Sequence, residues 1–428
     1  LSRKDESSAL MHIHRVLTSL ASVELWVVGA AVFASILYPP LLAVAVFVAA
    51  CFWPLRRLTS GTWTIRTPAD IPVVLLLLMS VISLWITPLP QITAPQVYRL
   101  LSGIALYYTI ANTCRTRRRL RLLLWVFSLS GLAVALLAPL SVEWPLGKWA
   151  FVPAALYQNF AILVADTVHP NVVAGTLALI LPLAVAWLLF DWHELKNYQR
   201  VILLISTGCM SAVILISLSR GAWVACGLAG LALVILRWRW GWAAVGLGLL
   251  AAIAGVYWLG VERALDMLAA SKTVGSLTGR QEVWSRAMDM ILDFPFTGIG
   301  MGAFQPLADQ LYPFQMFGPA AVFHAHNLFL QVAVDLGITG LLAWLGVLGV
   351  VIFCAGQVYR VGGESNDALI TALGAGILGS QIALIAHGLT DAVSWGMVRS
   401  APLVWAVWGV AIAAALQSRQ LHEEGLCR

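Results

Sequence analysis

Three short stretches of this chain hold the residues best suited to chemistry on an anion. In "SLSRGA", Arg220 stands among small residues, with Ser217 and Ser219 as capping candidates and Gly221 permitting close approach. A helix start offers free N–H groups, and a guanidinium beside it adds a planar fork suited to phosphate oxygens. The same arginine could instead snorkel and anchor a hairpin. In "TGRQEVWSR", Arg280 again begins a predicted helix, followed by Glu282 and Arg286. That pattern also fits a solvated helix face with an Arg–Glu pair.

The third stretch is "FHAHNLFLQ", where His326 opens an apolar helix. The positive end of a helix and nearby arginines disfavour imidazolium, so a neutral ring able to accept a proton is expected. His324, two residues earlier, could join it as a metal ligand or in substrate binding. A catalytic metal would want a third ligand, and residues 260–325 contain no Asp-x-Asp pair and no His-Glu-x-x-His, so no metal is expected. His387 and Asp391, four residues apart, share a helix face and form either a functional group or an orienting pair. They stand as supporting candidates with Asp166, His169 and Arg399.

The elements that must position these residues are apolar. With 60% hydrophobic and only 11% charged residues, the chain reads as an integral membrane protein. Its formal charge of +6 comes as short basic clusters between apolar segments, which fits cytoplasmic loops rather than nucleic-acid binding. About twelve spans are predicted, near 22–38, 40–55, 70–87, 96–113, 120–140, 168–190, 200–218, 221–236, 241–259, 326–355, 367–391 and 400–417. Residues 1–10 carry no signal-peptide pattern and read as a flexible cytoplasmic tail.

The basic residues at 56–66, 114–121, 196–200, 237–240 and 360 then share the cytoplasmic side, and an even span count puts both termini there. The chain divides into helices one to nine over 1–259, a large outer loop over 260–325, helices ten to twelve over 326–417 and a cytoplasmic tail at 418–428. A connection of that length is commonly functional, and its apolar spacing predicts short helices on the outer membrane surface. None of the six cysteines falls in this loop, so no disulfide is implied. Many of the nineteen tryptophans sit near span ends, as an interfacial belt requires.

"SLSRGAWVA", "TGRQEVWSRAMDMILDFPFTGIGMGAF" and "HAHNLFLQVAVDLGITGLLAWLG", in this order around one outer loop, resemble the region shared by bacterial O-antigen ligases, O-antigen polymerases and protein O-oligosaccharyltransferases. The likeness covers about residues 215–350. It implies an all-α polytopic fold of about twelve transmembrane helices with one large periplasmic loop, like that of a GT-C-like glycosyltransferase. It also implies an inner-membrane enzyme with a periplasmic site that takes glycan from undecaprenyl pyrophosphate.

On that resemblance Arg220 and Arg280 bind the pyrophosphate, and His326 is the essential loop histidine. Guanidinium groups can stabilise the leaving pyrophosphate without a metal or cofactor, and a neutral His326 can activate the incoming hydroxyl. With no outer carboxylate arranged as a nucleophile, a single inverting displacement is expected. The short segment after the last span and the single loop lean to a ligase, whose acceptor would be lipid A–core. A polymerase or a protein transferase of the same superfamily is the alternative. A transporter of lipid-linked glycan is the reading from another class, weakened because no internal repeat is evident.

Overall fold

The computed structural model describes residues 3–144, 168–259, 277–318 and 321–426. Among the described residues every regular element is helical, with one isolated parallel bridge between Val142 and Val168. The first six helices are α1 (Arg3–Ser22), α2 (Glu24–Leu37), α3 (Leu42–Ser60), α4 (Asp70–Ile86), α5 (Pro90–Thr113) and α6 (Arg117–Ser141). Four more, α7 (Pro170–Phe190), α8 (Asn197–Ile216), α9 (Arg220–Arg237) and α10 (Gly241–Leu259), precede the long connection. Within it lie α11 (Leu277–Asp293) and α12 (Phe304–Leu311), and the chain continues as α13 (Leu328–Glu364), α14 (Ala368–Gly388) and α15 (Pro402–Leu426). The start of the chain is helical from Arg3, so the flexible tail expected there gives way to α1.

The expectation of about twelve spans is overturned. Among the described residues seven helices are long and apolar enough to cross a membrane, or up to eight if His12–Ser22 and Glu24–Leu37, bent by 43°, form one span. All twelve apolar segments are helical, but apolar is not the same as spanning. The helix α4 has only 17 residues, and the apolar part of α10 that qualifies runs from Gly241 to Gly255. Arg99 and several hydroxyl residues interrupt α5, and α15 runs into Gln417, Ser418 and Arg419. The even count that put both termini on one side is lost with this correction.

The centre of this multi-pass membrane protein is built by α7 and α14, which pack on each other and are each 72% buried over their apolar windows. By contrast α3, α8 and α9, at 22–28%, lie at the periphery. Contacts between α14 and both α9 and α13, and between α15 and α5, complete the bundle. Basic loops meet at one end. There Arg117 pairs with Asp367 at 2.7 Å, Arg237 Nε donates to the Leu189 carbonyl at 2.9 Å, and Tyr359 donates to Leu236 O at 2.7 Å.

At the opposite end the long connection is stitched into a broken helix. Gly337 (φ 71°, ψ 179°) interrupts α13 and frees main-chain groups that a membrane-embedded helix could not leave unpaired. The segment after α11 takes them up: Ile299 N–H donates to Val334 O at 2.9 Å, Gly300 N–H to Asp335 O at 3.2 Å, and Ile338 N–H to Pro295 O at 2.7 Å. A Cβ at Gly298 or Gly337 would come within 2.6 Å of backbone atoms across this seam, so neither position admits a side chain. Beneath it Val283, Ala287, Met290, Phe304 and Val334 form a small separate core that holds α11 and α12 on α13.

Candidate active site

The two histidines lie in the turn that leads into α13. Asn327 caps that helix by accepting from Phe329 N–H at 3.0 Å and Leu330 N–H at 3.1 Å, and it ties the turn to α14 through Leu389 O. His326 has φ 46°, an uncommon conformation for a residue with a Cβ, and its N–H donates to His324 Nδ1 at 3.1 Å. The two rings lie 4.1 Å apart. Between them, Ala325 N–H donates to Gln331 Oε1 at 2.8 Å.

Asp391 meets this turn from the end of α14. Its Oδ1 lies 3.3 Å from His326 Nδ1 and 3.6 Å from His324 Nε2, and the carboxylate is almost wholly buried. Oδ1 also accepts from Ala392 N–H, and Oδ2 accepts from Asn171 Nδ2 at 2.7 Å. Burial alone would raise the Asp391 pKa, but the hydrogen bond from His326 and the field of the neighbouring histidines hold it well below the usual range. His324 is pushed down to about 4, first by burial, then by the charges of His326, His169 and Arg280, with Asp391 opposing. With His324 neutral above that pH, the hydrogen bond from His326 carries the Asp391 shift. The contact with Asp391 engages His326 through Nδ1, and Nε2 is the ring's other nitrogen.

Arg280, on α11, lies within electrostatic reach of both Asp391 and Arg220. Burial lowers its pKa first, Asp391 opposes and Arg220 adds to the lowering, while its buried Nε has no hydrogen-bond partner. Two partly buried guanidinium groups within electrostatic reach of each other favour an anion between them. Arg220 is the first residue of α9, after a turn in which Leu218 has φ 54°. Ser217 and Ser219 do not cap that helix through their side chains: Ser217 Oγ accepts from Ser219 N–H at 3.3 Å instead. Gly221 lets α9 reach α14, since a Cβ there would lie 2.2 Å from Thr390 Oγ1.

The remaining candidates separate. His387 is buried between α7 and α9, where Gly175 and Gly221 leave it room, and its Nε2 has no hydrogen-bond partner. His169 caps α7 by accepting from Asn171 N–H at 3.2 Å, one residue from the Asn171–Asp391 contact, so it supports the carboxylate indirectly. Arg286 turns to Asp289 on its own helix at 3.2 Å, and Glu282 accepts from Met316 N–H at 3.1 Å, so the predicted Arg–Glu pairing is replaced by two separate contacts. Arg399 lies within electrostatic reach of Arg99. Asp166 falls outside the described residues.

Sequence reasoning missed four residues that hold the site. Asp335 Oδ1 accepts from Gln331 Nε2 at 2.9 Å and Gly302 N–H at 3.2 Å, and Oδ2 accepts from Trp395 Nε1 at 2.8 Å. This network runs from the broken helix through Gln331 to the Ala325 N–H between the two histidines. The fourth is Asn171, on Asp391. Asp335 was recoverable as an ionisable residue inside an apolar segment, and so was the buried Arg99. The partners Gln331, Trp395 and Asn171 carried no such signal.

The third metal-type ligand that spacing did not reveal is Asp391. Among the described residues His324, His326 and Asp391 offer ligand atoms all within 4.8 Å of one another. The donor types suit a divalent ion, while the arginine charge beside them opposes one.

Residues 205–345 match the family described as O-antigen ligase. That segment runs from α8 through the first part of α13, so it contains Arg220, Arg280, His324 and His326, and leaves Asp391 outside. Over 124 residues the chain is also 32% identical to the exopolysaccharide production protein ExoQ of Rhizobium meliloti (strain 1021). The alignment spans 28% of this chain and 27% of that protein.

Proposed function

We propose that the protein is a glycan polymerase of the bacterial inner membrane, joining a lipid-linked glycan to the hydroxyl of a second one. The observation that carries this reading is the contact of Asp391 with His326, with Arg280 in electrostatic reach of both Asp391 and Arg220, within and beside the O-antigen ligase segment. The partial likeness to an exopolysaccharide production protein favours polymer growth over transfer to lipid A–core. The acceptor hydroxyl gives its proton to His326 Nε2 as its oxygen forms a bond to the anomeric carbon. The bond from that carbon to the polyprenyl pyrophosphate breaks, and Arg220 and Arg280 receive the negative charge of the leaving group. A single displacement inverts the anomeric configuration.

The site lies at the end of the bundle away from the basic loops, and the positive-inside rule assigns that end to the periplasm. The division into transmembrane helices, outer connection and tail is kept as part of this reading, without the twelve-span count. The test uses purified protein in nanodiscs with a polyprenyl-pyrophosphate oligosaccharide, alone and with lipid A–core. The expected result is a ladder of glycan–glycan products that persists with a chelator and is lost in His326→Ala while the variant stays monodisperse. Transfer to lipid A–core alone would return the ligase, and loss of activity with the chelator would put a metal on the His324–His326–Asp391 cluster. Lipid movement with no bond formed would make the protein a transporter.

A further inference from the structure

A groove at the opposite end, far from the histidines, has the features of a second binding site. Its volume is about 690 Å³, and it lies between Trp26 on α2 and Arg118, Arg119, Arg121, Leu122 and Trp125 on α6. The α6 start carries Arg117, Arg118, Arg119 and Arg121, where the positive end of the helix already disfavours cations. Two of these charges are engaged by protein: Arg117 pairs with Asp367, and Arg119 donates to the Thr113 carbonyl. Asp191, at the end of α7, is an acidic group whose charge reaches both Arg121 and Arg117. Arg118 is exposed, with no hydrogen bond or ion pair among the described residues, and the buried Nε of Arg121 has no hydrogen-bond partner.

The apolar wall is equally well defined. Trp125 packs edge-on against the fully buried Trp187 at 4.9 Å, and Trp187 Nε1 donates to Asp191 at 2.9 Å, so one side of the groove is rigid. Trp26 faces it and is 56% exposed. Arginines at the rim of an indole-lined groove on a membrane-spanning bundle match a molecule with an anionic head and apolar tails. We propose that this groove binds an anionic glycerophospholipid, its phosphate held by Arg118 and Arg121 and its acyl chains against Leu122 and the two tryptophans. The site is independent of the proposed transfer reaction. Inorganic phosphate shares the head chemistry and lacks the tails.

The experiment is native mass spectrometry of the full chain in detergent with equal phosphatidylglycerol and phosphatidylcholine. Wild type is expected to retain phosphatidylglycerol in preference, and Arg118→Gln with Arg121→Gln to reduce that preference by about 30-fold. Arg200→Gln with Arg360→Gln, two basic residues of the same end outside the groove, keeps it. Leu122→Trp fills the groove without changing charge, so it should also lose the preference even where the arginine variant fails to fold. No preference in wild type, or the same preference in Leu122→Trp, overturns the proposal. Release of the lipid by millimolar inorganic phosphate alone would make this a site for the free anion and overturn the lipid.

Discussion

Arg117, at the basic end, reaches Asp367 at 2.7 Å with about half its side chain in water, and Arg360 makes a 3.7 Å pair with Glu364, both partners exposed. Arg200 and Arg237 lie over Trp192 and Phe190 at 4.8 and 5.9 Å. Such contacts hold loops and set orientation, and each is weak because water screens it. At the other end Arg280 is only partly exposed, its buried Nε unmatched, and the carboxylate whose charge reaches it, Asp391, is already shared by two histidines, an asparagine and a main-chain N–H. Two sets of arginines with the same sequence signal differ in what remains for a ligand. Burial and the prior commitment of the acidic partner separate anchoring from binding.

The strongest way to break that comparison is at the shared carboxylate. Asp391→Asn keeps the shape and removes the charge that holds His326, and glycan transfer should fall by about 10²- to 10⁴-fold with the donor KM little changed. If transfer survives, Asp391 is a structural partner and the two ends do not differ in this way. Arg280→Lys keeps a positive charge but loses the planar fork; transfer should drop by about 10- to 100-fold, measured as kcat/KM for the lipid-linked donor.

A pH experiment isolates the buried histidine. His324 titrates at about 4 when folded and near 6.5 when unfolded, so the unfolded chain binds more protons between those values. Its contribution is present above pH 6.5 and lost as pH falls toward 4, by up to about 3 kcal/mol. His324→Asn should therefore flatten the acid side of a thermal-stability profile; a curve parallel to wild type would refute the buried neutral ring.

Gly337→Ala tests the seam rather than the charges. It forces a side chain onto a left-handed residue against Phe296, and should destabilise by about 1–3 kcal/mol, read as a lower Tm in detergent. The smallest effect is expected at the basic end. Arg117→Gln should leave transfer within about twofold and change stability by under about 1 kcal/mol. A large loss there would show that the two sets of arginines are not functionally distinct.

Parts of this were legible from residue types and spacing. Arg220, Arg280 and His326 stood out as charge or imidazole beside small or capping residues in an apolar chain, although an anchoring arginine or a solvated helix face has the same local pattern. His387 and Asp391 were expected to share a helix face, but α14 ends at Gly388 and Asp391 lies in the turn beyond it, where it meets the two histidines instead. The role of Ser217 and Ser219 was misread because a capping residue and a turn residue have the same composition; which N–H the hydroxyl finds depends on the positive φ of Leu218. The span count failed for a related reason, since hydropathy reports burial in any apolar medium and a helix surrounded by other helices satisfies it as well as one in lipid.

Composition and apolar periodicity were enough to establish a helical, multi-pass membrane protein, and they marked one long connection with candidate residues before, within and after it. Helical periodicity and the expense of burying charge are local properties, readable along the chain. It took the packing of the helices to bring Asp391, 65 positions beyond His326, to face the two histidines, to let Asn171 fix its second oxygen, and to link the turn to a broken helix through Gln331 and Asp335. Those contacts join segments far apart in sequence, and no local pattern encodes a meeting that depends on how whole helices pack.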